Sequence, residues 1–223
     1  MKGEIAVQLN NLRFAWEQEV VLELDRFEVR QGEKLFVGGP SGSGKSSLLS
    51  LLSGVAQPTS GSVELLGKNL SSMSDSQRDV FRADHVGYIF QMFNLIPFLS
   101  VLENVTLPLR FSNRRSARVS DAKAEGLRLL RHLGMEKFIE RRVIDLSVGQ
   151  QQRVAAARAL IGGPEIVLAD EPTSALDETN SRAFVDLLFQ QCEDTGATLI
   201  FVSHDSILAE RFDRSYLLGG EES

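Results

Sequence analysis

Gly39-Pro40-Ser41-Gly42-Ser43-Gly44-Lys45-Ser46 is the stretch on which the fold turns. It fits the pattern G-x-x-x-x-G-K-[ST], which average composition produces by chance in about one chain in a hundred of this length. Its glycines let the backbone curl so that successive N–H groups point inward at an anion. The apolar run Leu35-Phe36-Val37 precedes it as a short strand. Residues 46–53 follow with Leu48, Leu49, Leu51 and Leu52, a helix that Gly54 can close. Strand, loop and helix are the context in which such a loop holds phosphate on a helix N-terminus. Lys45 then supplies a charge to the β- and γ-phosphates, and the Ser46 hydroxyl can sit on Mg²⁺.

A second chemical element lies downstream. Ile166-Val167-Leu168-Ala169 is an apolar strand that ends in Asp170-Glu171. A buried parallel strand delivers its C-terminal residues to the crevice where ligands bind. Asp170 can there hold the Mg²⁺ shell, and Glu171 can reach an attacking water.

The rest of the chain reads as alternating elements. Ile5, Val7 and Leu9, and then Leu22, Leu24, Phe27 and Val29 with one slip, suggest two N-terminal strands, with a turn at Gln31-Gly32-Glu33. Strands are expected over 62–66, 86–90 and 198–202, and helices over 71–83, 147–160 and 182–192. Ser120 or Asp121 can cap a further helix whose face carries Leu127, Leu130 and Leu133, ending at Gly134. Residues 93–109 are apolar but irregular, with Pro97 and Pro108. The basic stretch 110–118 has no hydrophobic period and reads as a solvated loop, with a lipid headgroup or partner contact as the rarer alternative. Strands separated by helices imply a parallel sheet covered on both faces.

Composition narrows the classes. The 223 residues include 24 Lys and Arg and 30 Asp and Glu, a net charge of −6. That balance disfavours non-specific binding to nucleic acid or anionic lipid. The single cysteine, Cys192, cannot form an internal disulfide, which fits a reducing compartment. No apolar run approaches the roughly 18 residues that span a bilayer, and the N-terminus lacks the apolar core of a signal peptide. The chain is therefore expected to be neither a channel nor a secreted protein, and the motifs are expected to account for nearly all of its length.

Four more segments carry a family resemblance. Leu146-Ser147-Val148-Gly149-Gln150 resembles the L-S-G-G-Q signature of ABC ATPases. Gln91, after a strand, looks like the family's Q-loop, Ser174-Ala175-Leu176-Asp177 like its D-loop, and His204 like its switch histidine. The segment Phe90 to Pro97, with Leu102-Glu103-Asn104-Val105 and Leu107-Pro108-Leu109, is similar to the ATPases of lipoprotein-releasing and macrolide-exporting transporters.

The resemblance implies an α/β P-loop NTPase fold: a mixed, mainly parallel core sheet, an N-terminal antiparallel β-subdomain and an inserted α-helical subdomain. One domain would span 1–223, with 1–91 and 165–223 as core and about 92–164 as the helical insert. It implies that Gly39, Pro40, Ser41, Gly42, Ser43, Gly44, Lys45, Ser46 and Ser47 wrap the phosphates of ATP. Trp16, or Phe14 if the register differs by two, would stack on adenine. Ser46, Gln91 and Asp170 would serve Mg²⁺, Glu171 would be the general base, and His204 would contact the γ-phosphate. Ser147, Gly149 and Gln150 would complete the site of a second, head-to-tail copy, with Asp177 coupling the two sites. Val148 departs from the family's glycine; a β-branched residue disfavours positive φ, so a weaker closed dimer is expected.

The partners so implied are a second copy and an integral membrane permease, with the chain on the inner face of the cell membrane. Residues 93–109, with Phe98 and Leu99, would form the docking surface. Two other classes compete. One is an ATP-driven clamp or mechanotransmitter without solute transport. The other is a small-molecule kinase, in which the Ser147–Gln150 segment would have no task.

Overall fold

A computed structural model describes residues 4–219. In chain order its elements are β1 (Ile5–Trp16), β2 (Glu19–Arg30), β3 (Lys34–Gly38), α1 (Lys45–Leu52), β4 (Ser60–Leu65), β5 (Lys68–Asn69), α2 (Asp75–His85) and β6 (Val86–Ile89). There follow α3 (Val101–Thr106), α4 (Asn113–Ala117), α5 (Ala122–His132), α6 (Val148–Leu160), β7 (Ile166–Asp170), α7 (Glu178–Thr195), β8 (Thr198–Val202) and β9 (Arg214–Leu217).

These strands make two sheets. The antiparallel one has the order β2-β1-β4-β5, and the other β6-β7-β8-β3-β9. Every pairing in the second sheet is parallel. The expected mixture of directions is thus divided between two sheets instead of sharing one. The strand slip in the N-terminal hairpin has a structural counterpart. Leu9 faces Phe27 and Leu12 faces Leu24, so both strands take a three-residue step at the same place and keep one face apolar. Asn11, within the step, has a φ of 44°.

The near-continuous apolar strands of the parallel sheet are buried on both faces. Phe36, Ile89, Val167, Ala169, Leu199 and Phe201 pack with α3, α5, α6 and α7 in one core. Their neighbours Leu35, Val37, Ile166, Leu168, Ile200 and Val202 pack with α1 and the antiparallel sheet in the other. At roughly 1.5–3 kcal/mol for each fully buried large aliphatic or aromatic side chain, these two cores dominate the stability.

Three expectations need correction. Residues 93–109 are not irregular throughout: Ser100 caps α3 with a capping box to Glu103, and a 3₁₀ turn follows over Leu107–Arg110. The basic stretch is not a solvated loop. Arg115 is buried in α4, its Nε donating to Ile161 O (2.8 Å) and its Nη2 to Ala159 O (2.6 Å). Arg114 and Arg118 both reach Glu165, at 2.5 and 2.6 Å. The sheltered face of α5 is Gly126, Leu129 and Leu130, continued by Leu133, with Leu127 half-buried and Asp121 as the cap.

Candidate nucleotide site

The sheet order builds the site. β6, β7, β8 and β3 are adjacent and parallel, with Ile89 opposite Ala169, Asp170 opposite Val202, and Val37 opposite Val202. Four C-terminal strand ends therefore open on one edge, the usual ligand crevice of such sheets. Gln91 follows β6, Asp170 and Glu171 end β7, His204 follows β8, and the glycine loop follows β3. A cavity of about 500 Å³ there is lined by Val21, Ser41, Gly42, Gly44, Lys45, Ser46, Ser47, Gln91, Glu171 and His204.

The loop residues are conformationally demanding. Gly39 has a φ of 146°, and a Cβ there would meet Leu218 O at 2.6 Å. Gly44 has a φ of 90°, and its Cβ would meet Val21 O at 2.8 Å. Lys45 lies under the loop, its Nζ donating to Gly39 O and Pro40 O at 2.8 Å each. Ser43 Oγ is buried without a partner.

The helix that follows singles this place out. Among the described residues there are seven α-helices. Six begin on a side chain that caps them: Ser74, Ser100, Ser112, Asp121, Ser147 and Asp177. Only α1 has no capping side chain, and it has no acidic residue in its first turn. Its free N–H groups, the positive end of its dipole, Lys45 and the orphaned Ser43 hydroxyl are complementary to phosphate.

The acidic side is equally ordered. Ser46 Oγ donates to Asp170 Oδ1 at 3.4 Å. Burial raises the Asp170 carboxyl above the usual range, helped by the Glu171 charge and opposed by the Ser46 hydrogen bond and Lys45. This oxygen-only pair fits a hard cation such as Mg²⁺. Glu171 holds a φ of 44°, a strained conformation for a non-glycine residue. Its N–H donates to Val202 O at 2.9 Å, and His204 Nδ1 lies 2.6 Å from its Oε2.

Trp16 is 59% exposed at the end of β1, edge-on to Phe14 with ring centroids 5.0 Å apart. Phe14 itself is buried in the core, so it has no free face. Trp16 does not line the cavity. Val21, which does, was not singled out by sequence reasoning; the β1–β2 hairpin carries it there, and only that pairing could have pointed to it.

The remaining predicted residues gather elsewhere. Ser147, Gly149 and Gln150 border a second cavity of about 350 Å³ with Gly134, Arg153, Leu176 and Asn180. The two cavities share no lining residue. Ser147 caps α6, and Gln150 Oε1 accepts from Ser147 N at 2.9 Å. Asp177 caps α7; the hydrogen bond from Asn180 N is the chief reason its carboxyl lies below the usual range. Val148 is the first residue of α6, 47% exposed, and its φ is not positive. Backbone strain at Val148 is thereby removed from the account, and only its protruding side chain is left.

Comparison with known proteins bears on the family and the fold. The family model described as "ABC transporter" matches residues 22–174. The chain is 46% identical over 187 residues, 83% of it and 80% of the relative, to the uncharacterised ABC transporter ATP-binding protein YbbA of Escherichia coli K12. It is 42% identical over 221 residues (97% and 94%) to the lipoprotein-releasing system ATP-binding protein LolD of Hydrogenovibrio crunogenus. Among solved structures, the dimeric post-hydrolysis state of the ATP-binding cassette MJ0796, bound to ADP and Pi, superposes with a TM-score of 0.85 at 36% identity, covering 95% of this chain and 94% of that one. The chain belongs to the ABC transporter family, as one of its ATP-binding domains.

Proposed function

We propose that the chain is the ATP-hydrolysing subunit of a membrane transporter of the lipoprotein-release type, working as a head-to-tail pair on the cytoplasmic face of a permease. The observation that carries it is the uncapped α1, set beside Lys45, the Ser46–Asp170 pair and the Glu171–His204 pair at one sheet edge.

The α1 N–H groups and Lys45 bind the phosphates of ATP, and Lys45 leaves Gly39 O and Pro40 O to do so. Ser46, Asp170 and Gln91 would hold Mg²⁺, whose charge would offset that of the phosphates. Glu171 takes a proton as a water oxygen bonds to the γ-phosphorus and the bridging oxygen leaves with ADP. His204 holds the Glu171 carboxylate and contacts the transferred group. Trp16 offers the base an open aromatic face.

Head-to-tail pairing is supported by the separation of the two cavities. Ser147, Gly149 and Gln150 do not share a cavity with Lys45 in their own chain, which supports their completing another chain's site. A second copy brings the start of α6 to that γ-phosphate as a second helix N-terminus. The dimeric MJ0796 cassette supports the same assembly, and the LolD relative supports the lipoprotein-release class. No helix among the described residues is long and apolar enough to cross a membrane. Met92, Phe98 and Phe111 are exposed within or beside residues 93–109, the proposed docking surface for the permease.

Glu171→Gln tests the chemistry. It should bind ATP normally, accumulate as an ATP-dependent dimer on size exclusion, and hydrolyse at least about a hundredfold more slowly. Turnover close to wild type would remove Glu171 from the role of base.

A further inference from the structure

We infer that Gln152 is a positioning residue that ties the signature helix to the loop carrying the catalytic Glu171, so that the two sites of a dimer respond to each other. The inference rests on the head-to-tail reading above.

Gln152 lies in the second turn of α6 and is fully buried. Its Nε2 donates to the carbonyl of Pro172, the residue after Glu171. Only the amide N–H₂ can face a carbonyl, so the orientation of the group is settled. Its Oε1 is buried with no hydrogen-bond partner. Gln152 also borders the cavity that Ser147, Gly149, Leu176 and Asn180 line.

A packing role does not account for this side chain. The other buried side chains in the rest of α6 are Val154, Ala155, Ala156, Ala157, Ala159 and Leu160. An apolar side chain of similar length fills the same space without the unmatched Oε1 and forgoes only the bond to Pro172 O; an unsatisfied buried acceptor is destabilising. What glutamine adds is one directional link. At one end is the helix whose start meets the partner's nucleotide. At the other is the chain segment that begins at Glu171 and runs through Leu176 to Asp177, the cap of α7. A shift of α6 on closing against the partner's ATP is passed through this bond to Pro172, and so to the adjoining base.

The test uses the full chain. Gln152→Met removes both polar atoms at nearly constant length; Gln152→Leu removes them with a branched side chain of similar volume. Steady-state hydrolysis is measured against ATP, together with binding of a fluorescent ATP analogue to the monomer and the melting temperature. The expected result for both variants is unchanged monomer affinity and melting within a few degrees of wild type. Against that background kcat should fall about fivefold or more, and the Hill coefficient should drop toward one. Wild-type kcat and Hill coefficient in both variants overturn the inference. So does a fall in kcat matched by lost monomer affinity and lost melting temperature, which marks a structural role. A wild-type protein that shows neither cooperativity nor an ATP-dependent dimer overturns the head-to-tail reading itself, and this inference with it.

Discussion

Replacing Glu165 by glutamine should destabilise the protein at neutral pH and leave nucleotide affinity untouched. Glu165 directly precedes β7 and gathers two arginines and a histidine. Arg114 and Arg118 from the basic stretch reach its Oε1 at 2.5 and 2.6 Å, and His85 Nδ1 lies 3.0 Å from its Oε2. Burial alone would raise this carboxyl, but the hydrogen bonds from Arg114, Arg118 and His85 outweigh it and bring it from the ordinary 4.5 to about 2. A shift of that size corresponds to a ceiling of about 3.4 kcal/mol at 1.36 kcal/mol per unit. The two arginine side chains are 43% and 40% exposed and Glu165 27%, so solvent screening reduces this to about 1–2 kcal/mol. For a chain of this size that is roughly a 3–6 °C loss in Tm. The folded pKa is depressed, so the contribution is complete above about pH 4.5 and fades as pH falls toward 2. The Tm gap between wild type and Glu165→Gln, read by circular dichroism, should be constant from about pH 8 to 5.5 and narrow below about pH 4.5. It should also narrow in high salt. ATP affinity should not move, because Glu165 sits at the opposite end of β7 from Asp170, about 16 Å away at the rise of an extended strand. Equal melting at pH 7, or a gap that widens on acidification, would refute the reasoning.

Three further outcomes follow from the site. Trp16→Ala should raise the KM for ATP between about fivefold and a hundredfold, the usual worth of a base stacked on an aromatic ring, while Trp16→Phe largely restores it; an unchanged KM removes Trp16 from the site. Val148→Gly, made in the Glu171→Gln background, should strengthen ATP-driven dimerisation by clearing a side chain from the start of α6, and an unchanged dimer constant measured by sedimentation would show that the side chain is no obstacle. Phe98→Glu should abolish co-purification with a permease while Tm and nucleotide binding stay at wild type, and retained co-purification counts against residues 93–109 as the docking surface.

The parts of the molecule that sequence reading recovered are those whose causes are local. The glycine loop, the apolar strand ends and the turn at Gln31-Gly32-Glu33 all declare themselves within a few residues, because period and backbone freedom act over that range. Once β6, β7, β8 and β3 lie parallel and adjacent, their C-terminal residues meet without further instruction. What escaped is the set of polar side chains that act across long separations. Arg115 looked solvated because its carbonyl partners, Ala159 and Ile161, lie 44 and 46 residues away. The glutamines and arginines of α6 look like a wet helix face, yet several are braces. Gln152 reaches Pro172, Arg153 Nη1 reaches Leu133 O at 2.9 Å, and Arg158 holds Phe93 O and Asn94 O at 2.6 Å each. Arg115 adds the two carbonyls at the end of the same helix. The signature helix is therefore tied to the loop after Glu171, to the end of α5, and to the segment that follows Gln91. A displacement at its start cannot stay local. The polar pattern that a reader of the sequence assigns to solvent is the physical means by which this helix engages three other parts of the fold.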